Sequence, residues 1–348
     1  IAIGVTVTRK GMLQQAVNSM ADSVNSGAAV IDQMFFQSEK DASLVKELLL
    51  ASLKTERIPP PEELANIGKS VYQDTNSGGN ISLIEVLVDL GNNSHSCFCD
   101  TNVDNETVKD YMWRTGGVDE LWRAIVETRN STRMIYYSGT IGNFVRTYPF
   151  LAGECEQGMS WSDVPWYFEA DEQRNPGHGI VWTDIYQDPY TEEWMASCLN
   201  PVYLPDGNGG QRLDGVIGID TVTSKMVQFV EQLENPWGGF SVLLSRYGIV
   251  LATSNGTDDD SVSEESDEAG VNISEAFPEL HSAIFSSSGD GIRLMELDSG
   301  RIISWAATKS SQTILLIVAR KDDLYMSVTR AQRVQIILAV CAAAALIL

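Results

Sequence analysis

Four aromatic residues with polar tips, Trp166, Tyr167, Trp182 and Tyr186, lie close together in the chain, with Asp188 just after them and Asp220 further on. Side chains of this kind suit a concave site that is mostly apolar but must place a few directed hydrogen bonds. Their ring quadrupoles attract an ammonium group, and a carboxylate beside them adds a directed acceptor. The chemistry implied is recognition of a small molecule bearing a cationic or amine group, with Asp188 and Asp220 as the acceptors. The same aromatics would serve equally well as core, because rings pack more often than they bind.

Catalysis finds no comparable support. The three histidines, His95, His178 and His281, sit in no nucleophile-elbow or zinc-protease pattern. Gly207-Asn-Gly-Gly210 after Asp206 reads as a hairpin turn rather than a phosphate cradle. His95-Ser-Cys97-Phe-Cys99-Asp100 offers metal-binding atoms, but no second ligand pair follows at zinc spacing. No catalytic residue, cofactor or metal is therefore expected, and the visible chain is read as non-enzymatic. With 24 Lys and Arg against 47 Asp and Glu, the formal charge of −23 repels phosphate backbones and sets nucleic-acid functions aside. Much of that charge lies in the run Asp258 to Glu268, which reads as a solvated loop.

The elements that must position these residues are legible in outline. At 348 residues the chain is long enough for roughly two domains. From Met12 to about Leu53 apolar residues recur at helical spacing, including Met20, Val24, Ala28, Ile31, Phe35, Leu44, Leu48 and Leu49, and Pro59-Pro60-Pro61 ends the helix. Short helices are expected over 62–72, 119–128, 224–233 and 277–285. Strands are expected near 81–90, in a hairpin over 133–148, and near 180–182, 195–203, 215–220, 240–252, 291–297, 302–307 and 313–318. Short helices alternating with hairpin-connected strands indicate an α+β fold with antiparallel sheets.

Both ends read as cut membrane anchors. Thirteen residues from Ile336 to Leu348 contain no polar side chain other than Cys341, and Ile1 to Val7 precede Arg9-Lys10 like the exit end of a helix. Anchors at both ends would contact the lipid bilayer and leave the middle as a looped-out ectodomain. Sequons at Asn80, Asn92, Asn105, Asn130, Asn255 and Asn272 are about twice the chance number for this composition, which suggests a eukaryotic secretory route and glycosylation of the ectodomain. Cys97, Cys99, Cys155 and Cys198 form an even set that would pair in an oxidising compartment, with three connectivities open.

Five segments in order, Tyr136-Tyr-Ser-Gly-Thr-Ile-Gly-Asn-Phe144, Trp166-Tyr-Phe-Glu-Ala170, Trp182-Thr-Asp-Ile-Tyr-Gln-Asp188, Pro201-Val-Tyr203 and Gly215-Val-Ile-Gly-Ile-Asp220, together resemble a double Cache sensor domain. Leu243-Leu-Ser-Arg-Tyr-Gly-Ile-Val-Leu-Ala252 is similar to that family's membrane-proximal module. The resemblance covers about residues 10–325. It implies a long N-terminal helix packed on two PAS-like antiparallel-sheet modules, flanked by truncated transmembrane helices. The divisions are the end of one transmembrane helix at 1–9, a stalk helix at 10–57, a distal module at 58–234, a proximal module at 235–327 and the start of a second transmembrane helix at 328–348.

The family's amino-acid-binding pattern maps onto Trp166-Tyr167, Tyr186 with Asp188, and Asp220. It also places an arginine two residues before the tryptophan, where this chain has Val164. The bidentate clamp for a ligand carboxylate is thus missing from its expected place, unless Arg146 or Arg174 supplies it. That shifts the expected ligand from an α-amino acid toward an amine or another molecule with a cationic or uncharged group. The implied function is a small-molecule-sensing ectodomain of a transmembrane receptor at the plasma membrane, extracellular, or periplasmic in a bacterium. A second copy of the chain or another membrane protein is left open as a partner. The alternative is a glycosylated auxiliary or structural surface protein that uses the Cache scaffold for protein–protein contacts.

Overall fold

Helix α1 (Arg9–Leu53) is the longest element. Buried positions Met20, Val24, Ala28, Ile31, Phe35, Ser38, Ala42, Val45 and Leu49 advance by three or four residues, with Gly27 and Asp41 buried beside them, which keeps one stripe toward a core along the whole length. Leu44 and Leu48, expected in that stripe, are instead 46% and 45% exposed, because Ala42 and Val45 hold the buried phase. The structure, a computed structural model, describes residues 9–54, 58–62, 71–73, 80–82, 96–99, 106–141, 144–149, 164–188, 192–233, 235, 238–254, 270–286, 293–297, 299–326 and 329. Both expected membrane anchors fall outside the described residues, apart from Arg9, where helix α1 starts, and Thr329. No helix among the described residues is long and apolar enough to cross a membrane.

The chain divides into two units, Met34–Ser224 and Ile1–Gln33 with Lys225–Leu348, so α1 contributes its C-terminal part to the first and its N-terminal part to the second. In the first unit β1 (Val71–Gln73), β2 (Asn80–Ser82), β3 (Ser96–Cys99), β4 (Thr132–Gly139), β5 (Phe144–Tyr148), β6 (Val181–Trp182), β7 (Tyr186–Gln187), β8 (Trp194–Pro205) and β9 (Gln211–Val222) form one sheet. Its order is β1-β2-β3-β5-β4-β9-β8-β6, with β7 also on β8, and every pairing is antiparallel. The β4–β5 and β8–β9 hairpins stand where alternation and turn residues place them. At the β8–β9 turn Asp206 Oδ1 accepts from the amides of Asn208 at 2.7 Å and Gly210 at 2.9 Å, while Gly207 and Gly209 take φ of 80° and 90°. Glycine adopts that left-handed backbone without a Cβ penalty, so the segment is a turn and not a phosphate loop.

Two helices of this unit, α2 (Glu106–Thr115) and α3 (Asp119–Thr128), are joined by a single 3-10 turn at Gly116–Val118. The second was expected; the first was not, because its sequence opens inside a sequon and carries little apolar periodicity. A one-turn helix, α4 (Pro165–Phe168), starts with proline at its first position, where the missing N–H costs nothing. The expected helix over 62–72 and strand over 81–90 lie mostly outside the described residues; Glu62 is helical, but Val71 and Tyr72, expected to end that helix, belong instead to strand β1, while Ile81 and Ser82 belong to β2.

The second unit carries α5 (Ser224–Glu231), β10 (Phe240–Leu244), β11 (Val250–Thr253), α6 (Ile273–Ala276), α7 (Pro278–Phe285), β12 (Arg293–Glu296), β13 (Arg301–Ala307) and β14 (Ile314–Arg320). Its sheet order is β11-β10-β14-β13-β12, again antiparallel. One face packs on α6 and α7 through Phe240, Val242, Ile273, Phe277, Leu280, Trp305 and Leu316. The other meets α1 where a Cβ on Gly27 would stand 2.5 Å from Leu315 Cδ2. Asp32 Oδ1 of α1 accepts from the amides of Lys309 at 3.1 Å and Ser310 at 2.9 Å, fixing the β13–β14 turn against the helix. A long helix on two antiparallel sheets is the α+β arrangement expected from the sequence.

Candidate functional site

Strand alternation sorts the first unit's sheet into two faces. One face meets the C-terminal part of α1. Ser38 Oγ lies 2.8 Å from Thr221 Oγ1, Lys46 Nζ donates to Asn200 Oδ1 at 3.0 Å, and Trp182 Nε1 donates to Glu39 Oε1 at 3.0 Å. The Trp182 ring meets Phe35 edge-on at 4.7 Å. Trp182 is therefore held on the helix face and does not join the other five residues expected at the site.

On the opposite face Asp220 of β9 is 4% exposed, and Ser197 Oγ of β8 donates to its Oδ1 at 2.7 Å. The Tyr186 hydroxyl of β7 lies 2.9 Å from that same serine oxygen. Burial pushes the Asp220 carboxyl up to about 7; the Ser197 hydrogen bond pulls it down and the neighbouring charge of Asp188 pushes it further up. Asp188 follows β7 and is tied to the β7–β8 connection by its amide, which donates to the Glu193 carbonyl at 2.9 Å, and its carbonyl, which accepts from the Glu192 amide at 2.8 Å.

Tyr136 of β4 lies over Gly218 of β9, close enough that a Cβ at 218 would stand 1.9 Å from its Cζ. Its hydroxyl is buried, and burial first, then the charges of Asp220 and Tyr186, hold its pKa well above the ordinary phenol value, against the lowering effect of a hydrogen bond with Ser197. Trp166 of α4 meets the Tyr136 ring edge-on, with centroids 5.2 Å apart. Tyr167 packs in the same apolar cluster as Tyr136, Val145, Ala170, Leu199 and Val216; burial and then the charge of Asp214 push its hydroxyl up to about 12. The fold thus gathers Trp166, Tyr167, Tyr186, Asp188 and Asp220. It adds Tyr136 and Ser197, which the sequence reading did not select as site residues, although Tyr136 opens one of the segments carrying the family resemblance.

Gly218 must remain bare for this arrangement. A Gly218→Ala substitution is expected to destabilise the protein by about 1–3 kcal/mol through overpacking. The double variant with Tyr136→Ala should regain part of that loss in urea denaturation, and an unchanged midpoint in the single variant would contradict the packing.

The two arginines considered as carboxylate clamps are accounted for. Arg146 is completely buried on the α1 side of the sheet, where Nε donates to Asp119 Oδ1 at 2.5 Å, Nη2 pairs with Oδ2, and Nη1 donates to the Met112 carbonyl at 3.3 Å. Arg174 pairs with Asp171 Oδ2 at 2.7 Å and lies over the Phe168 ring. Val164, at the position of the family arginine, packs on the apolar cluster beside Tyr167.

Cys198 is a free thiol, completely buried at the centre of β8 opposite Trp182 and Ile219, which corrects its assignment as a disulfide candidate. Cys155 lies outside the described residues, as do the side chains of Cys97 and Cys99. Of the sequons, Asn130 is exposed between α3 and β4, and Asn272 caps α6 by accepting from the Ser274 amide at 2.9 Å. Asn80 lies on β2, and Asn92, Asn105 and Asn255 fall outside the described residues. His178 stacks on Tyr203 at 4.0 Å and His281 lies against Phe285 at 5.0 Å. No group of three metal-binding side chains occurs among the described residues.

No family model and no curated protein matches the sequence. Solved structures do. The ligand-binding domain of Mlp24 with asparagine is 15% identical, with 92% of this chain and 98% of that one covered and a TM-score of 0.52. The Campylobacter jejuni chemoreceptor Tlp3 domain with L-norvaline is 12% identical over 92% and 96% of the two chains, with a TM-score of 0.52. The Pseudomonas aeruginosa PAO1 chemoreceptor PctC domain with GABA is 13% identical over 87% and 98%, with a TM-score of 0.50. These are sensor domains rather than enzymes. At such identities the likeness is one of fold, and the fold of this chain is that of the double Cache sensor domain.

Proposed function

We propose that this chain is the small-molecule-sensing ectodomain of a transmembrane receptor and that its ligand is an amine. The observation that carries the reading is the buried Asp220 carboxylate, joined through Ser197 to Tyr186 and flanked by Tyr136 and Trp166. Asparagine, norvaline and GABA, the ligands named for the three matched domains, each carry an amino and a carboxyl group. In this chain Asp220 could accept an ammonium, while Val164 and the internally paired Arg146 leave no carboxylate clamp in the expected position. An amine without an essential carboxylate fits that asymmetry, and an amino-acid-like molecule held only by its amino end comes second.

Ligand binding would favour one of two arrangements of the unit comprising residues 34–224, and α1, which contributes to both units, would carry the bias onward. The receptor would act outside the cytoplasm, with segments 1–9 and 328–348 leading into the bilayer. Thermal shift with ethanolamine, phenethylamine, GABA and asparagine tests the reading. The amines should raise the melting temperature by several degrees at millimolar concentration, and Asp220→Ala should abolish the shift. Absence of any shift, or a shift that survives in Asp220→Ala, would overturn it.

A further inference from the structure

Asp220 is an unusual place for a permanent charge. It is 4% exposed, and among the described residues no Lys, Arg or His pairs with it. The polar and titratable groups that face it are Tyr186 and Asp188 from the β7 segment, Ser197 from β8 and Tyr136 from β4, all neutral or negative. A buried carboxylate without a cation is costly, and such a group reduces the cost by taking up a proton.

The hydrogen-bond chain can hold either state. With Asp220 ionised, Ser197 has a single hydroxyl proton and gives it to Oδ1, so Tyr186 must donate to Ser197. With Asp220 protonated, the carboxyl can donate to Ser197, which turns to donate to Tyr186. The chain reverses without breaking. The serine is held for this role by its own backbone, since its amide donates to Thr183 Oγ1 at 2.9 Å.

We propose that a proton and a cationic ligand compete for the Asp220 carboxylate, so that binding is gated by pH, and that Ser197 is the positioning residue that sets the balance between them. The inference rests on the amine reading of this site. The step is an exchange: the protonated carboxyl loses its proton to bulk water as the ligand's ammonium takes its place, and no covalent bond to carbon or nitrogen changes.

Calorimetry of the whole ectodomain with phenethylamine, in buffers of different ionisation enthalpy, reads the proton directly. Release of about 0.9 proton per ligand is expected at pH 6 and about 0.1 at pH 8, with affinity falling roughly tenfold per pH unit below 7. Ser197→Ala removes the donor that favours the ionised form, so its affinity profile should move to higher pH, with the loss relative to the parent greatest and constant below about pH 6 and fading as pH rises past the shifted midpoint. A purely structural serine would weaken binding by the same factor at every pH. Carbon-13 titration of the Asp220 carboxyl in the ligand-free protein, assigned by its loss in Asp220→Asn, should show a midpoint near 7. Phenethylamine binding without proton release, or a carboxyl midpoint below 5, overturns the competition and leaves the amine site standing. Failure of phenethylamine and ethanolamine to bind at any pH from 6 to 8 removes the amine reading and the competition with it.

Discussion

Replacing Asp220 by Asn is expected to make the ligand-free protein more stable than its parent at pH 8, while leaving the two alike at pH values below the unfolded carboxyl's own titration. The folded carboxyl is pushed up to about 7 from 3.8, so its favourable contribution is complete below 3.8 and is lost as pH rises through 7. Three pH units correspond to about 4 kcal/mol, which is the ceiling of the gain at pH 8 because Asn must still satisfy Ser197. Urea midpoints of parent and variant across pH 4–8 measure it. A gap that opens with rising pH supports a buried, unpaired acid; a variant that is less stable at pH 8 would mean that an unseen cation neutralises Asp220. Stability gained by removing an acid, with ligand response lost, is the trade expected where burial serves binding rather than folding.

The opposite sign is expected at the other buried carboxylate pair. Asp119→Ala should cost about 3–5 kcal/mol, because it strands the guanidinium of Arg146, whose side chain is 1% exposed. The double variant Asp119→Leu with Arg146→Met should recover most of that loss, since an apolar pair of similar volume avoids the desolvation of both charges. Equilibrium urea unfolding of the single and double variants decides it; a loss below 1 kcal/mol in the single variant would show that Arg146 is solvated or otherwise paired. The ion pair joins β5 to the start of α3, so its contribution is to the sheet that carries the site rather than to ligand contact.

Between these two acids lies a third that nothing in the sequence marked. Tyr111 of α2 and Tyr137 of β4 both donate to Asp214 Oδ2, the latter at 2.7 Å, while Arg212 reaches Oδ1 at 3.5 Å. The β8–β9 register shifts between Val202 and Tyr203, leaving Asp214 without a partner residue on β8. A bulge of this kind departs from strict alternation and can carry a side chain toward the opposite face, here within reach of Tyr137 and α2. Alternation alone would have placed Asp214 beside Val216 and Asp220 on the site face.

Local pattern was sufficient for much of the fold. The long helix followed from spacing and the absence of proline, the β4–β5 and β8–β9 hairpins from β-rich arms around glycine turns, and α3 and α7 from short amphipathic runs. Helix α2 escaped because its stability rests on tertiary contacts such as Tyr111 on Asp214 and Arg146 on the Met112 carbonyl, which no window of sequence contains.

By itself, the sequence determined most of the elements and the α+β class, because the strand period and the order of motifs are properties of the chain; it also singled out the five of six candidate residues that the sheet now brings onto one face. Only the tertiary structure decided which face each side chain takes. Trp182 and Ser197 sit on neighbouring strands, yet one turns to α1 and the other to Asp220, because a one-residue change of register exchanges the two faces of a sheet. Arg146, which by residue type could have held a ligand carboxylate, is held by Asp119 instead. Tyr136 reaches the site because Gly218, on the neighbouring strand, has no side chain to keep the ring away. Each outcome depends on which strands become neighbours and in what register, a relation between distant segments that residue types and local spacing leave open.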